Sequence, residues 1–191
     1  PSASLPVRDQ VYPEAEAKPL FEGLLPKGVA RREVARAVGV NESNGFGLLA
    51  EIGSDCAGAV VIVSPEAVAP REGEIHWLTA EQIEQRLRDL PNRPLGVDLD
   101  EGIRLSLGGV QQKLVVTRAP DGRIGQPVGG APSTHIVKPA QAGYDDLVAN
   151  EAFGLRFAQC AGLDAATAET GIFGYIKPFL VERFDATPTG A

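Results

Sequence analysis

The chain has 191 residues, 43% of them hydrophobic and 23% charged, with a net charge of −7. These proportions are typical of a globular protein that can bury a core. The negative charge disfavours direct binding to nucleic acid, because neutralising a phosphate backbone needs clustered lysine and arginine. No apolar run approaches the roughly 20 residues that span a bilayer, so we expect no membrane partner and a cytoplasmic location.

The two cysteines give no indication of a metal site. Cys56 and Cys160 lie far apart in the sequence, and neither has a second cysteine or a histidine at metal-ligand spacing. Free thiols are the usual state in a cytosolic protein, although the sequence leaves a single disulfide open. We therefore predict no metal ligands in this chain.

The first third of the chain is predicted to be mainly helical. Residues 1–19 read as an extended lead-in, and apolar residues at helical spacing then predict helices over 20–25 and 30–38. A short buried helix is predicted over 46–52, followed by a strand over 57–63.

A Pro-rich and charged connector over residues 64–73 is the best candidate for a domain boundary. We therefore predict an N-terminal subdomain over residues 1–70 and a second domain over residues 71–191. In the second domain, Thr79 and Gln82 stand at the spacing of a capping box, in which each side chain bonds the other residue's backbone. This spacing predicts the start of a helix over residues 80–90.

Residues 103–116 read as two strands joined by a glycine-containing turn. Gly108 and Gly109 carry no β-carbons, so a phosphate could approach the backbone there, and consecutive N–H groups in such a turn can bind an anion. Lys113 would add a cation nearby. The alternative is a plain solvent-exposed hairpin turn, which is what most Gly-Gly pairs between strands form.

Three further features follow the hairpin. A predicted strand ends in Lys138, a predicted helix over 145–158 carries Glu151 among apolar neighbours, and predicted strands over 172–176 and 179–181 run into a connector. A strand-end lysine is commonly solvated, and a helix glutamate is commonly exposed. If Glu151 is buried, however, it needs a cationic partner, and Lys138 is the obvious candidate.

A glycine loop, a strand lysine, a helix glutamate and a strand running into a connector are the parts of a protein-kinase N-lobe in chain order. The residue sequences of these parts resemble those of the HipA-like kinases, the toxin half of a bacterial toxin–antitoxin pair. The resemblance extends over nearly the whole chain. The matching segments are Phe21–Pro26, Leu48–Gly53, Gly58–Val60, the glycine hairpin, Thr134–Lys138, Asn150–Glu151 and Val181–Asp185. The resemblance implies an α+β fold: a kinase-like N-lobe, built on an antiparallel sheet with helices, preceded by a small HipA-type N-terminal subdomain.

The resemblance also implies roles for individual residues. Lys138 would neutralise phosphate oxygens of ATP, and Glu151 would orient Lys138. Ser106 matches a regulatory autophosphorylation site; a phosphate there, with a charge of about −2, would compete with the nucleotide for the same donors. The residues implied in phosphate binding are Gly108, Gly109, Val110, Gln111, Gln112 and Lys113. Those implied in adenine binding, at the connector between the lobes, are Glu182, Arg183 and Phe184.

The implied cofactors are ATP and Mg²⁺, and the implied partners are a protein substrate and an antitoxin, a DNA-binding protein of the HipB type. The Mg²⁺ ligands and the catalytic aspartate are expected in a C-lobe beyond Ala191. No catalytic residue is therefore assigned, and we expect the chain to be inactive alone. The alternative is a non-catalytic module that docks an antitoxin or a C-lobe without useful nucleotide binding.

Overall fold

The computed structural model describes residues 5–54, 56, 60–62, 73–94, 96, 108, 111–129, 131–141, 143, 144 and 146–185. Within these ranges the helices are α1 (Glu14–Leu24), α2 (Gly28–Ala37), α3 (Gly45–Ile52), α4 (Ala80–Asp89) and α5 (Leu147–Cys160). The strands are β1 (Glu74–Trp77), β2 (Leu114–Arg118), β3 (Ile124–Val128), β4 (His135–Lys138), β5 (Ala168–Thr170) and β6 (Phe179–Glu182).

The described strands form a single antiparallel sheet in the order β1-β3-β2-β4-β6-β5. In its centre, Val115 of β2 lies opposite Ile136 of β4, which in turn lies opposite Val181 of β6. Helices combined with an antiparallel sheet confirm the predicted α+β class.

The sheet buries apolar side chains on both faces, because successive residues of a strand point to opposite sides. Helix α4 covers the face that carries Leu114 and Val137. Helices α1 to α3 cover the opposite face, which carries Val115 and Ile136 and is called the N-terminal face below. The buried residues of the cluster on the N-terminal face are Leu24, Leu25, Val34, Ala35, Leu48, Leu49, Ile52, Cys56, Val115 and Val128.

Helix α1 begins at Glu14, within the stretch 1–19 that the sequence predicts to be extended. Glu14 and Glu16 occupy its first turn, where carboxylates interact favourably with the positive end of the helix dipole. Lys18 also pairs with Glu14 at 3.1 Å, one helical turn away. The prediction of an extended lead-in is therefore wrong from Glu14 onward, because this charge pattern supports a helix that contains Pro19.

The other predicted helices are found close to their predicted bounds. The capping box at the start of α4 is complete: the Gln82 N–H donates to Thr79 Oγ1 at 3.3 Å, and the Thr79 N–H donates to Gln82 Oε1 at 2.8 Å. Helix α5 starts at Leu147, two residues later than predicted, and extends to Cys160. Local signals, capping and apolar spacing, were sufficient for these helices.

Strands β1 and β3 were not predicted. The sequence suggests a glycine-rich loop over residues 125–132, whereas β3 runs through Gly125 and pairs with both β1 and β2. A Cβ on Gly125 would lie 2.4 Å from Ile75 Cγ2. The glycine is therefore required by the close approach of a neighbouring strand, which single-sequence patterns do not reveal.

The segment over residues 172–176 is a tight turn and not the predicted strand. The Phe173 N–H donates to the Ile176 carbonyl at 2.9 Å, and Gly174 between them has a φ of +58°, a conformation that favours glycine. The strand that pairs with β6 is β5, in which Thr170 lies opposite Phe179. Apolar composition alone did not distinguish this turn from a strand.

Three predicted elements fall wholly or partly outside the described residues. Of the strand predicted over 57–63, only residues 60–62 are described, and these three do not form a strand. In the connector over 64–73 only the last residue is described, and the first strand of the hairpin, residues 103–107, is outside the described ranges. The domain boundary at residue 70 stays a prediction.

The surroundings of His135 in β4 disfavour its charged form. The Thr134 hydroxyl accepts from the Arg118 N–H at 2.9 Å and lies at hydrogen-bonding distance, 2.8 Å, from His135 Nδ1. Burial lowers the pKa of His135, the Arg118 charge lowers it further, and Glu182 and Glu169 partly offset the shift.

We expect the free energy of unfolding to fall as the pH drops below the ordinary histidine pKa of 6.5. In that range the unfolded chain binds more protons than the folded chain, so acid favours unfolding. Urea unfolding midpoints of wild type and His135→Gln measured between pH 5 and 7 test this expectation, since the substitution should reduce the pH dependence. His76→Gln at the other, exposed histidine is the matched control. Equal slopes for wild type and His135→Gln would contradict the expectation.

Candidate functional site

Two lysines face each other at the ends of the central strands. Lys113 directly precedes Leu114, and Lys138 directly follows Val137, the residue opposite Leu114 in the register. Alternation along the strands puts both lysines on the N-terminal face. Burial lowers the pKa of Lys113, and the Lys138 charge lowers it further. The two lysines therefore lie on the same face of the sheet, at neighbouring strand ends.

The Lys138 ammonium is bound by Glu151 of α5. Lys138 Nζ donates to Glu151 Oε1, and the two side chains are only 19% and 28% exposed. At this degree of burial each charge needs a partner, and the pair supplies one to both. An ammonium has three protons, so one bond to Glu151 leaves two for an anionic ligand.

The Lys113 side chain connects the two ends of the segment 108–113, because its Nζ donates to the Gly108 carbonyl. Gly108 lies against the end of α1, where a Cβ on residue 108 would be 2.6 Å from the Gly23 carbonyl oxygen. Any larger residue would displace this backbone. The glycine is thus needed for packing in addition to any contact with a ligand.

A buried donor in the same segment lacks a partner within the described part of the chain. Gln111 Nε2 is buried and makes no hydrogen bond there, while the neighbouring Gln112 is exposed. Leaving such a group unpaired costs about 1–3 kcal/mol. The two ammonium groups, by contrast, carry the charge that phosphate oxygens bind most strongly. The sequence pattern did not single out the Gln111 amide from its neighbours.

The predicted adenine-binding residues lie at the far end of β6. Glu182 is three positions along the strand from Phe179, the partner of Lys138, which corresponds to about 10 Å. The Glu182 N–H donates to the Thr167 carbonyl at 2.9 Å, so this N–H already has a hydrogen-bond partner within the chain. Phe184 is 94% exposed and lies just beyond the strand. The role of these residues in adenine binding stays a prediction.

Arg183, between these two residues, is 4% exposed, and its side chain makes contacts within the fold. Its N–H donates to the Thr134 carbonyl at 2.9 Å, and its guanidinium binds the Cys56 carbonyl at 2.9 Å and the Asp185 carboxylate at 3.0 Å. The sequence pattern assigned Arg183 to the nucleotide, and it gave no signal of this buried cluster. Thr134 and Cys56 are distant from Arg183 in sequence, so a local pattern could not reveal these two contacts.

Three predicted site residues lie outside the described residues: Ser106, Gly109 and Val110. Their implied roles in regulation and phosphate binding stay predictions. Of the described residues, none belong to a group of three or more His, Cys, Asp or Glu side chains that could hold a metal ion. Cys56 is buried, Cys160 is exposed, and both are free thiols.

Two family models match the chain. The HipA N-terminal domain matches residues 1–63, and the HipA-like C-terminal domain matches residues 105–190. The second match contains both lysines, Glu151 and the end of β6, so every part of the candidate site described above falls within it.

Relatives of known name match most of the chain. A protein of Sinorhizobium fredii named putative kinase Y4mE is 40% identical over 96% of this chain and 44% of its own length. The serine/threonine-protein kinase toxin HipA of Shewanella oneidensis is 35% identical over 85% of this chain and 36% of its own length. The chain therefore spans less than half the length of these relatives.

A solved structure confirms the fold. The toxin–antitoxin complex of HipA, HipB and operator DNA from Shewanella oneidensis contains a chain that matches with a TM-score of 0.68 and 32% identity. The match covers 90% of this chain and 39% of that one. Among the described residues no helix has the length and apolar character needed to cross a membrane.

Proposed function

Because the chain belongs to the HipA-like kinase family, we propose that it is the ATP-binding part of a serine/threonine protein kinase. The observation that carries this proposal is the Lys138–Glu151 pair on the same face as Lys113. A triphosphate would bring negative charge to the partly buried Lys113 ammonium and to the Lys138 protons that Glu151 does not accept.

In this proposal the residues of the chain bind and orient the nucleotide. Lys138 would neutralise phosphate oxygens, and Glu151 would keep the Lys138 ammonium in place. Lys113 and Gln111, which precede β2, would bind the same phosphate chain. ATP would supply the γ-phosphoryl group for transfer to a protein hydroxyl, a reaction that depends mainly on charge neutralisation and positioning. The described residues do not form a Mg²⁺ site, so no step is assigned to the metal here.

We propose an antitoxin as the macromolecular partner of the full-length protein. The support is the solved HipA of Shewanella oneidensis, which was determined as a complex with HipB and operator DNA. The net charge of −7 makes direct contact of this region with DNA unfavourable and suits a basic protein surface better.

A second candidate function is a docking module without useful nucleotide binding. Helix α5 contributes no buried residue within the described part of the chain. Phe153 and Phe157 on this helix are 71% and 65% exposed, and their rings stack 6.1 Å apart. Exposed aromatic pairs of this kind are typical of surfaces that bind another polypeptide. This observation supports docking of further protein on α5, and it is compatible with nucleotide binding on the N-terminal face.

Titration of ATP and adenosine into the chain at pH 7.5 and 9.5 tests the nucleotide proposal. We expect ATP to bind much more tightly than adenosine, because the site is built from phosphate donors. ATP affinity should fall at the higher pH, since the lowered pKa of Lys113 removes its charge below the ordinary lysine value of 10.5.

Lys113→Arg is the control for the pH effect. A guanidinium stays charged throughout this range, so the variant should lose less affinity between the two pH values. Equal affinity of the wild-type chain for ATP and adenosine, or no binding of either, would contradict the proposal and favour the docking module.

A further inference from the structure

A buried guanidinium joins three distant parts of the chain. Arg183 Nη2 donates to the Cys56 carbonyl at 2.9 Å, a contact across 127 residues of sequence. Its Nη1 donates to the Ser133 hydroxyl, in the residue pair that precedes β4. Its Nε and Nη2 donate to the two Asp185 carboxylate oxygens at 3.0 Å each. We call Arg183 with these three partners the Arg183 cluster.

The Arg183 cluster fixes the backbone on both sides of the residue. The Arg183 N–H donates to the Thr134 carbonyl at 2.9 Å, which holds the end of β6 against the start of β4. The bidentate contact to Asp185 holds the chain two residues further on. A planar guanidinium that makes several bonds permits little movement, because each bond constrains its orientation. Phe184, which lies between the two anchored residues, therefore has a defined backbone position.

The cluster also connects this segment to the N-terminal helices. Cys56 is buried in the apolar cluster of the N-terminal face, with Ile52 of α3. That cluster already contains Val115 and Val128 of the sheet, so the helices pack on the sheet without needing the guanidinium. The contact from Arg183 to the Cys56 carbonyl therefore adds a specific polar connection beside the apolar contacts of this cluster.

We propose that Arg183 is a positioning residue for nucleotide binding, which ties the backbone at residues 182–185 to the N-terminal subdomain through Cys56. The inference rests on the proposed function, and it takes the base of ATP to lie at Phe184, one of the predicted adenine-binding residues. Lys113 and Lys138 lie at the opposite end of the strands, about 10 Å away. Loss of the Arg183 cluster should therefore weaken recognition of the base and leave the phosphate contacts in place.

The test compares ATP with inorganic tripolyphosphate, which presents the phosphate chain without a base. The variant is Arg183→Met combined with Asp185→Asn, because removing the guanidinium alone would leave a buried carboxylate without its partner. The control is Arg123→Met, which removes an exposed arginine whose ion pair with Asp121 lies in the turn between β2 and β3. Thermal unfolding of each variant is recorded in parallel.

We expect the double variant to lose ATP affinity by about five- to tenfold, as for the loss of one well-placed hydrogen bond. Its affinity for tripolyphosphate should change less than about twofold. Arg183→Lys keeps the charge but lacks the planar fork, so it should give an intermediate and equally selective loss. Should the double variant fail to fold, the Arg183→Lys measurement still decides the question.

Three outcomes would overturn the inference. Parallel losses for ATP and tripolyphosphate would show that Arg183 acts only on overall stability, and unchanged ATP affinity in a folded variant would show that it does not position the base. In both cases the wild-type chain binds ATP and the proposed function stands. If the wild-type chain binds neither ligand, the proposed function fails and the inference fails with it.

Discussion

Replacing Lys138 by alanine is expected to weaken ATP binding by about 10- to 100-fold, because hydrogen bonds to charged groups contribute about 1.5–3 kcal/mol. The lysine is 19% exposed and lies beside Lys113 on the N-terminal face, so its ammonium is available to the phosphates there. Isothermal titration of ATP into wild type and Lys138→Ala measures the loss.

Two further variants assign the loss to the site. Glu151→Gln keeps the Lys138 ammonium but weakens its anchor, so we expect a smaller loss of ATP affinity than with Lys138→Ala. Lys18→Ala is the matched control, since it removes an exposed lysine of α1 that pairs with Glu14. Wild-type affinity in Lys138→Ala, or an equal loss in Lys18→Ala, would show that bulk charge and not this site attracts the nucleotide.

Replacing Phe179 by alanine is expected to lower the free energy of unfolding by about 3–5 kcal/mol, the usual cost of deleting a buried phenylalanine ring. Phe179 is fully buried in β6 and lies opposite both Lys138 and Thr170. The cavity left by its ring would loosen the strand that connects the phosphate-binding end of the site to the Arg183 cluster. Urea denaturation with a constant m-value measures the change.

Phe157→Ala on α5 is the control for this prediction. Its ring is 65% exposed, so truncation should change the free energy of unfolding by no more than about 0.5 kcal/mol. If the two variants were equally stable, the core of the sheet would not be where the structure places it. If Phe157→Ala were the less stable of the two, α5 would be packed more tightly than its exposure indicates.

Local signals were enough to predict α2 to α5, whereas the first turns of α1 were wrongly predicted to be extended. The capping box at Thr79 and Gln82 predicted α4, since both bonds lie within four residues of each other. The chain order of a glycine loop, Lys138 and Glu151 predicted a lysine–glutamate pair, and the structure brings the two side chains together. The pair could be inferred because a partly buried carboxylate needs a cation.

Non-local contacts explain what the sequence did not reveal. Strand β3 contains Gly125 and a proline, and it forms because β1 and β2 pair on either side of it. Arg183 reads as a nucleotide-binding residue in the sequence, yet its guanidinium is buried against Cys56. The unpaired amide of Gln111 likewise depends on burial, which no pattern of residue types predicts.

We expect the triphosphate of ATP to lie on the N-terminal face beside Lys113 and Lys138. A crystal structure of the chain with a non-hydrolysable ATP analogue tests this position most directly. We predict phosphate oxygens within hydrogen-bonding distance of Lys138 Nζ, with the Lys138–Glu151 pair intact and the base toward Phe184. An analogue bound on the opposite face, against α4 and away from both lysines, would contradict the account.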